Sequence, residues 1–169
     1  DEAGRLSDGG PGDLYLGVKI GLTPQEGILP EMALVPQMFV PIGSEPLAGL
    51  EEPLPGLTRP AKDRVLPGLN WLYGWDLTER FSVGGSTLVS LDVDPASNRS
   101  YTLFAQSLTL GFSVTERLRG YVEWYALMPS GAEQVKPEYY FNGGPVYVVT
   151  NNLQLDFRAG LGLNEAAQD

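Results

Sequence analysis

Asp76-Leu77-Thr78-Glu79-Arg80-Phe81 reads as the end of one strand, a tight polar turn opening on Thr, and the start of the next. The form returns as Ser113-Val114-Thr115-Glu116-Arg117-Leu118 and again as Val148-Val149-Thr150-Asn151-Asn152-Leu153. Thr78 and Thr115 are 37 residues apart, Thr115 and Thr150 are 35 apart. That period holds two strands of roughly ten residues, one tight turn and one longer loop. Long strands joined by short turns at one end and long loops at the other are the plan of an outer-membrane barrel. The fold expected is therefore all-β: an antiparallel up-and-down transmembrane β-barrel with about eight strands in this chain. It forms one domain over residues 1–169.

Working outward from the turns, period-two alternation marks the strands. The first, at about 13–22, sets Leu14, Leu16, Val18, Ile20 and Leu22 against Asp13, Tyr15, Gly17, Lys19 and Gly21. The second, about 32–41, is blurred by Pro36, which predicts a bulge or kink. Residues 42–64, with four prolines and Glu45, Glu51 and Glu52, carry no strand pattern and form the longest loop. A third strand, about 65–76, places Leu69, Trp71, Tyr73 and Trp75 on one face. The fourth, about 80–92, does the same with Phe81, Val83, Thr87, Val89 and Leu91. The fifth, about 101–114, uses Phe104, Leu108, Leu110 and Phe112, with Gln106 an unexplained polar intruder. The sixth, about 118–128, separates Leu118, Val122, Trp124 and Ala126 from Arg119, Tyr121, Glu123 and Tyr125. A seventh occupies about 138–149. The eighth, about 153–163, sets Leu153, Leu155, Phe157, Ala159, Leu161 and Leu163 opposite Gln154, Asp156, Arg158, Gly160 and Gly162.

Composition narrows the functions open to such a chain. Apolar residues make up 43% and mean hydropathy is −0.09, as expected when lipid-facing and lumen-facing positions alternate. No apolar run reaches about 18 residues, so no membrane helix and no signal peptide is expected in the chain, the form of an exported protein after processing. Cysteine and histidine are both absent. That removes disulfides, thiol nucleophiles, Ser-His catalysis and imidazole metal ligands, so no enzyme activity, no catalytic residue, no metal site and no cofactor is expected. The 21 glycines and 14 prolines suit turns and kinked strands. A net charge of −10 argues against nucleic acid, which needs clustered Lys and Arg.

Tyr73, Trp75 and Phe81 fall near the short-turn end, where an interfacial aromatic girdle is expected; Tyr101, Tyr139, Tyr140 and Phe141, near the long-loop end, could form the second girdle, although aromatic residues are also ordinary strand formers. By strand parity the first strand starts, and the eighth finishes, at the long-loop end. Bacterial barrels normally place both termini at the short-turn end, so the domain is expected to be incomplete at both ends; the alternative is a closed eight-stranded barrel of unusual topology.

The stretches Gly12-Asp13-Leu14-Tyr15-Leu16-Gly17-Val18-Lys19, Leu34-Val35-Pro36-Gln37 and Val40-Pro41-Ile42-Gly43 resemble the opening of the outer-membrane family labelled "putative meta-pathway of phenol degradation". Asn152-Leu153-Gln154-Leu155-Asp156-Phe157-Arg158-Ala159-Gly160-Leu161-Gly162-Leu163-Asn164-Glu165-Ala166-Ala167 resembles its segment before the last strand. The resemblance spans nearly the whole chain and implies a larger barrel of about twelve strands with transporter-like uptake or export of small aromatic compounds. Against that count, the expected departure of this chain is the absence of the end strands.

Lys19, Arg119, Tyr121, Glu123, Tyr125, Asp156 and Arg158 are the candidate residues of a lumen or transport path. Charged rings narrow and polarise pores; the plainer reading is that these charges pair to satisfy a polar interior. Tyr15, Tyr121 and Tyr125 share the polar face and could stack on an aromatic solute or bind its cationic form, or simply fill the lumen. Asp92, Asp94 and Asn98 offer oxygens suited to Ca²⁺ without the full loop pattern, which favours a solvated hairpin loop. Glu123 and Asp156 as an acid–base pair have nothing in their context to mark them.

The function expected is an outer-membrane channel or transporter for small hydrophobic or aromatic molecules in a Gram-negative-type envelope. Its partners are membrane lipid and those solutes, and its localisation is the bacterial outer membrane. Two alternatives share the pattern: a non-conducting structural or interaction barrel meeting an envelope protein, and a soluble lipocalin-like binding barrel with the alternation turned inside out.

Overall fold

The turn threonines act through their side chains. Thr78 Oγ1 accepts the backbone N–H groups of Arg80 at 3.1 Å and Phe81 at 3.0 Å. Thr115 Oγ1 accepts those of Arg117 at 3.3 Å and Leu118 at 2.9 Å, and Thr150 Oγ1 that of Asn152 at 3.3 Å. A hydroxyl that accepts two or three residues ahead reverses the chain locally. In the first two turns a carbonyl closes the reversal: Phe81 O accepts from Leu77 and Thr78, and Leu118 O from Val114 and Thr115.

The computed structural model describes residues 13–42, 64–94 and 97–167. The strands are β1 (Leu14–Gly17), β2 (Ile20–Thr23), β3 (Glu31–Val40), β4 (Leu66–Asp76), β5 (Phe81–Val93), β6 (Ser100–Ser113), β7 (Leu118–Ser130), β8 (Glu138–Thr150), β9 (Leu153–Asp156) and β10 (Ala159–Gly162). They form one antiparallel up-and-down sheet in the order β1-β3-β4-β5-β6-β7-β8-β10, with β2 also on β3 and β9 also on β8. The eight expected strands are all present, the first and last each as two segments. The three Thr turns lie at one end of the sheet. The connections after Val93 and Ser130 lie at the other, as expected. Most of the 42–64 loop lies outside the described residues.

Two prolines split the edge strands. Val18 N donates to Pro36 O at 3.1 Å, and Phe157 N donates to Pro145 O at 3.1 Å. Opposed residues in such pairs normally exchange two bonds, and proline has no N–H to return the second. Each ladder is therefore interrupted, at Val18–Lys19 and at Phe157–Arg158. Pro36 was expected to kink its own strand; β3 instead runs unbroken from Glu31 to Val40 and the break falls on its neighbour.

Register carries one face across the whole sheet. From Met38 it passes to Pro67, and from Leu34 to Trp71, Thr87, Gln106 and Ala126. A parallel row joins Leu108, Trp124, Phe141 and Leu161. This face is apolar and open. Leu14, Leu69, Phe81, Val89, Leu108, Leu155 and Leu161 each leave between 41 and 59% of their surface uncovered. Burial is concentrated on the opposite, polar face, where Asp92, Tyr101, Tyr140, Asn142, Ala33 and Leu66 are enclosed; on the apolar face Ala126 is fully covered. The sheet curls round its polar side.

Gln106 does not sit on the apolar face as an isolated polar group. Its Oε1 accepts from Thr87 Oγ1 at 2.8 Å, and its Nε2 donates to Tyr73 OH at 2.6 Å and to Ser107 O at 2.9 Å. Gly85 makes this strap fit: a Cβ there would meet Ser107 O at 2.6 Å and the Tyr73 ring at 2.8 Å.

Strand ends drift steadily across the sheet. The row beginning on Glu31, the first residue of β3, passes Gly74, Gly84, Thr109, Glu123 and Asn142 and leaves on Gly160. Gly160 lies seven residues beyond Leu153, where the last strand begins. Seven residues over six strand steps is about 24 Å along for about 29 Å across, a lean of about 40°. Closed barrels need strands tilted by about 35–45°.

Candidate functional site

Alternation on β7 puts Arg119, Tyr121, Glu123 and Tyr125 on the polar face, opposite Ser113, Gly111, Thr109 and Ser107 of β6. On β8 the same rows hold Val146, Gly144, Asn142 and Tyr140. Glu123 is the centre of a hydrogen-bonded group. Asn142 Nδ2 donates to its Oε2 at 3.0 Å, and Thr109 Oγ1 donates to its Oε1 at 3.4 Å. Arg158 reaches it from beyond β8, with Nη2 3.7 Å from Oε2. Gly144 opens that path, since a Cβ there would collide with the Phe157 backbone and come within 3.2 Å of Arg158 Cα.

Tyr125 and Tyr140 stack with centroids 4.6 Å apart and planes 15° from parallel, and Tyr140 OH donates to Glu138 Oε2 at 2.7 Å. The Arg158 guanidinium stands over the Tyr125 ring, 6.0 Å from its centroid. A carboxylate, a guanidinium and a fixed aromatic pair thus share one patch.

Of the seven sequence-predicted residues, Glu123, Tyr125 and Arg158 come together, with Tyr121 next to them on β7. Arg119 and Asp156 flank Val146 in a separate row nearer the turns. There Arg119 lines a shallow groove with Asp76, Arg80 and Ser113. Lys19 lies in the gap between β1 and β2, at the opposite edge of the sheet from Arg158. Tyr15 is also at that edge, where its OH donates to Gln37 Oε1 at 3.1 Å, away from Tyr121 and Tyr125. Asp156 and Glu123 occupy different rows and do not form the acid–base pair weighed from sequence.

Sequence reasoning missed Asn142, Thr109 and Tyr140. The available signal was parity: in Tyr139-Tyr140-Phe141-Asn142 the even positions share the polar face. The same parity corrects the long-loop girdle. Tyr139 and Phe141 lie on the apolar face as expected, but Tyr140 pairs with Tyr125 and Tyr101 with Asp92 on the polar side.

Asp92, Asp94 and Asn98 do not form a cation site. Asp92 accepts from Tyr101 OH at 3.0 Å. Asp94, 1% exposed, accepts the backbone N–H groups of Glu133 at 2.9 Å and Gln134 at 3.4 Å through one oxygen. Asn98 takes a left-handed turn conformation, φ 52°, and its N–H donates to Asp94 O. Arg99 and Glu133 pair at 3.1 Å above this tie. The Asp94 carboxylate therefore fastens the β5–β6 connection to the β7–β8 connection.

No curated protein matches the chain. A family model described as "Putative MetA-pathway of phenol degradation" matches residues 2–169. With nearly every residue inside that match, the chain belongs to this family.

Proposed function

We propose that this chain is wall of a transmembrane β-barrel in a bacterial outer membrane, and that the barrel passes small hydrophobic or aromatic molecules along its polar face. The observation that carries the reading is the broad apolar face, with large apolar side chains exposed on every strand except β7, of a sheet whose ends drift as a tilted barrel requires. Soluble monomers rarely leave contiguous apolar patches beyond a few hundred Å². Lipid accounts for such a face. A 13-residue strand leaning by about 40° rises about 34 Å, enough for the roughly 25 Å apolar belt of such barrels. Trp75, Phe81 and Phe112 sit on this face near the turns, where one rim of the belt falls.

Enclosure of the polar side weighs against a lipocalin-like binder, whose apolar residues line the inside. The family's name supports a small aromatic solute. Reconstitution tests the reading in two steps. The folded protein should enter the detergent phase and vesicles, and its addition to a planar bilayer should give stepwise conductance. Recovery in buffer without detergent would remove the membrane reading. A folded, inserted barrel that conducts nothing would replace transport with a structural role.

A further inference from the structure

We propose that the Glu123 carboxylate and the Tyr125 ring form a subsite for an organic monocation, an ammonium bearing an aromatic or alkyl group, with Arg158 as its resident and displaceable occupant. The proposal rests on the reading of the polar face as a solute path and adds the charge class that this patch takes.

The carboxylate is held without Arg158. Asn142 and Thr109, on the strands either side of β7, each supply a neutral donor, at 3.0 and 3.4 Å. The ring is also held without it, by the stack on Tyr140, which Glu138 fixes in turn. Arg158 itself is loosely placed. Its 3.7 Å approach to Glu123 is beyond hydrogen-bond length and its 6.0 Å approach to Tyr125 is at the outer limit of a cation–π contact. Its side chain is 55% exposed, and its backbone lies in the gap between β9 and β10. A half-exposed pair of this kind is weak, so a competing cation displaces it readily.

The chemistry of the patch selects the cation. A hard metal ion requires several oxygens, whereas no group of three or more Asp, Glu, His or Cys that could hold one is found among the described residues. A single carboxylate beside an aromatic face suits a large, weakly hydrated cation that gains from both. Anions meet Glu123 and Glu138 here, in a chain of net charge −10.

Calorimetric titration of the full chain in detergent micelles with benzyltrimethylammonium tests the subsite without any membrane current. Arg158→Gln should tighten binding about three- to tenfold, Arg158→Lys should stay near wild type, and Glu123→Gln should weaken it about tenfold. Benzyl alcohol, the neutral comparator, should bind more weakly than the cation in the wild type. Arg158→Gln binding no tighter than wild type would overturn the proposal, as would benzyl alcohol binding as well as the cation. If Glu123→Gln fails to fold, judged by heat-dependent gel mobility, the two Arg158 variants decide. Binding without bilayer conductance would sink transport and keep the subsite; conductance without binding would sink the subsite alone.

Discussion

Leu108 and its neighbour Ser107 point to opposite sides of β6, and the same substitution at each separates the two faces. Leu108 is 49% exposed in the apolar row of Trp124 and Phe141. It lies eight residues from Ser100 and five from Ser113, the ends of β6. At about 2.6 Å of rise per residue for a strand leaning by about 40°, it sits about 4 Å from the strand's midpoint. Arginine at that depth on a lipid face costs about 2–4 kcal/mol. Ser107→Arg should cost only the loss of its 3.0 Å bond to Ser86, about 0.5–1.5 kcal/mol, because the polar face offers water to the new charge. The assay is equilibrium urea unfolding in phosphocholine vesicles, read by the fluorescence of Trp71, Trp75 and Trp124. Leu108→Arg should be the less stable of the two by at least about 0.5 kcal/mol. Equal losses, or the reverse order, would refute the face assignment and with it the membrane reading.

Thr115→Val removes both side-chain bonds of its turn and should cost about 1–2 kcal/mol, whereas Thr150→Val, losing one 3.3 Å bond, should cost less in the same unfolding assay. Gly144→Ala should destabilise more than either, because its Cβ meets the Phe157 backbone rather than a side chain that could move; circular dichroism on heating would show the loss. Asp94→Ala frees the Glu133 and Gln134 amides, so a Glu-specific endoproteinase should cut after Glu133 about tenfold faster than in the wild type, read by mass spectrometry.

The strands and three turns were legible because each rests on local chemistry: a side chain's parity, or a hydroxyl two residues from the amide it accepts. What escaped acts between strands. Pro36 and Pro145 leave their own strands intact and withhold a bond from the neighbour, so neither break could be located along the chain. Gln106 was unexplained because its partners, Tyr73 and Thr87, come from two other strands. Of the candidate site, Glu123, Tyr125 and Arg158 were found because they break an apolar alternation. Asn142 was not, since β8 mixes Val146 and Val148 into its polar face and gives no clean contrast. Lys19 was grouped with the others by charge and parity alone, neither of which says which edge of the sheet a strand occupies.

The two half-made proline pairs also set how the sheet breathes. An edge strand of eight to ten residues bonded throughout opens only as a unit, at a cost near that of unfolding much of the sheet. Here each edge is fastened as two segments of four residues, joined across Val18–Lys19 or Phe157–Arg158. Either segment can detach while the other holds, so amide exchange at both edges is governed by small local openings. Exchange should fall off inward from β1, β2, β9 and β10 to the long ladders of β5 and β6, where thirteen paired residues must open together.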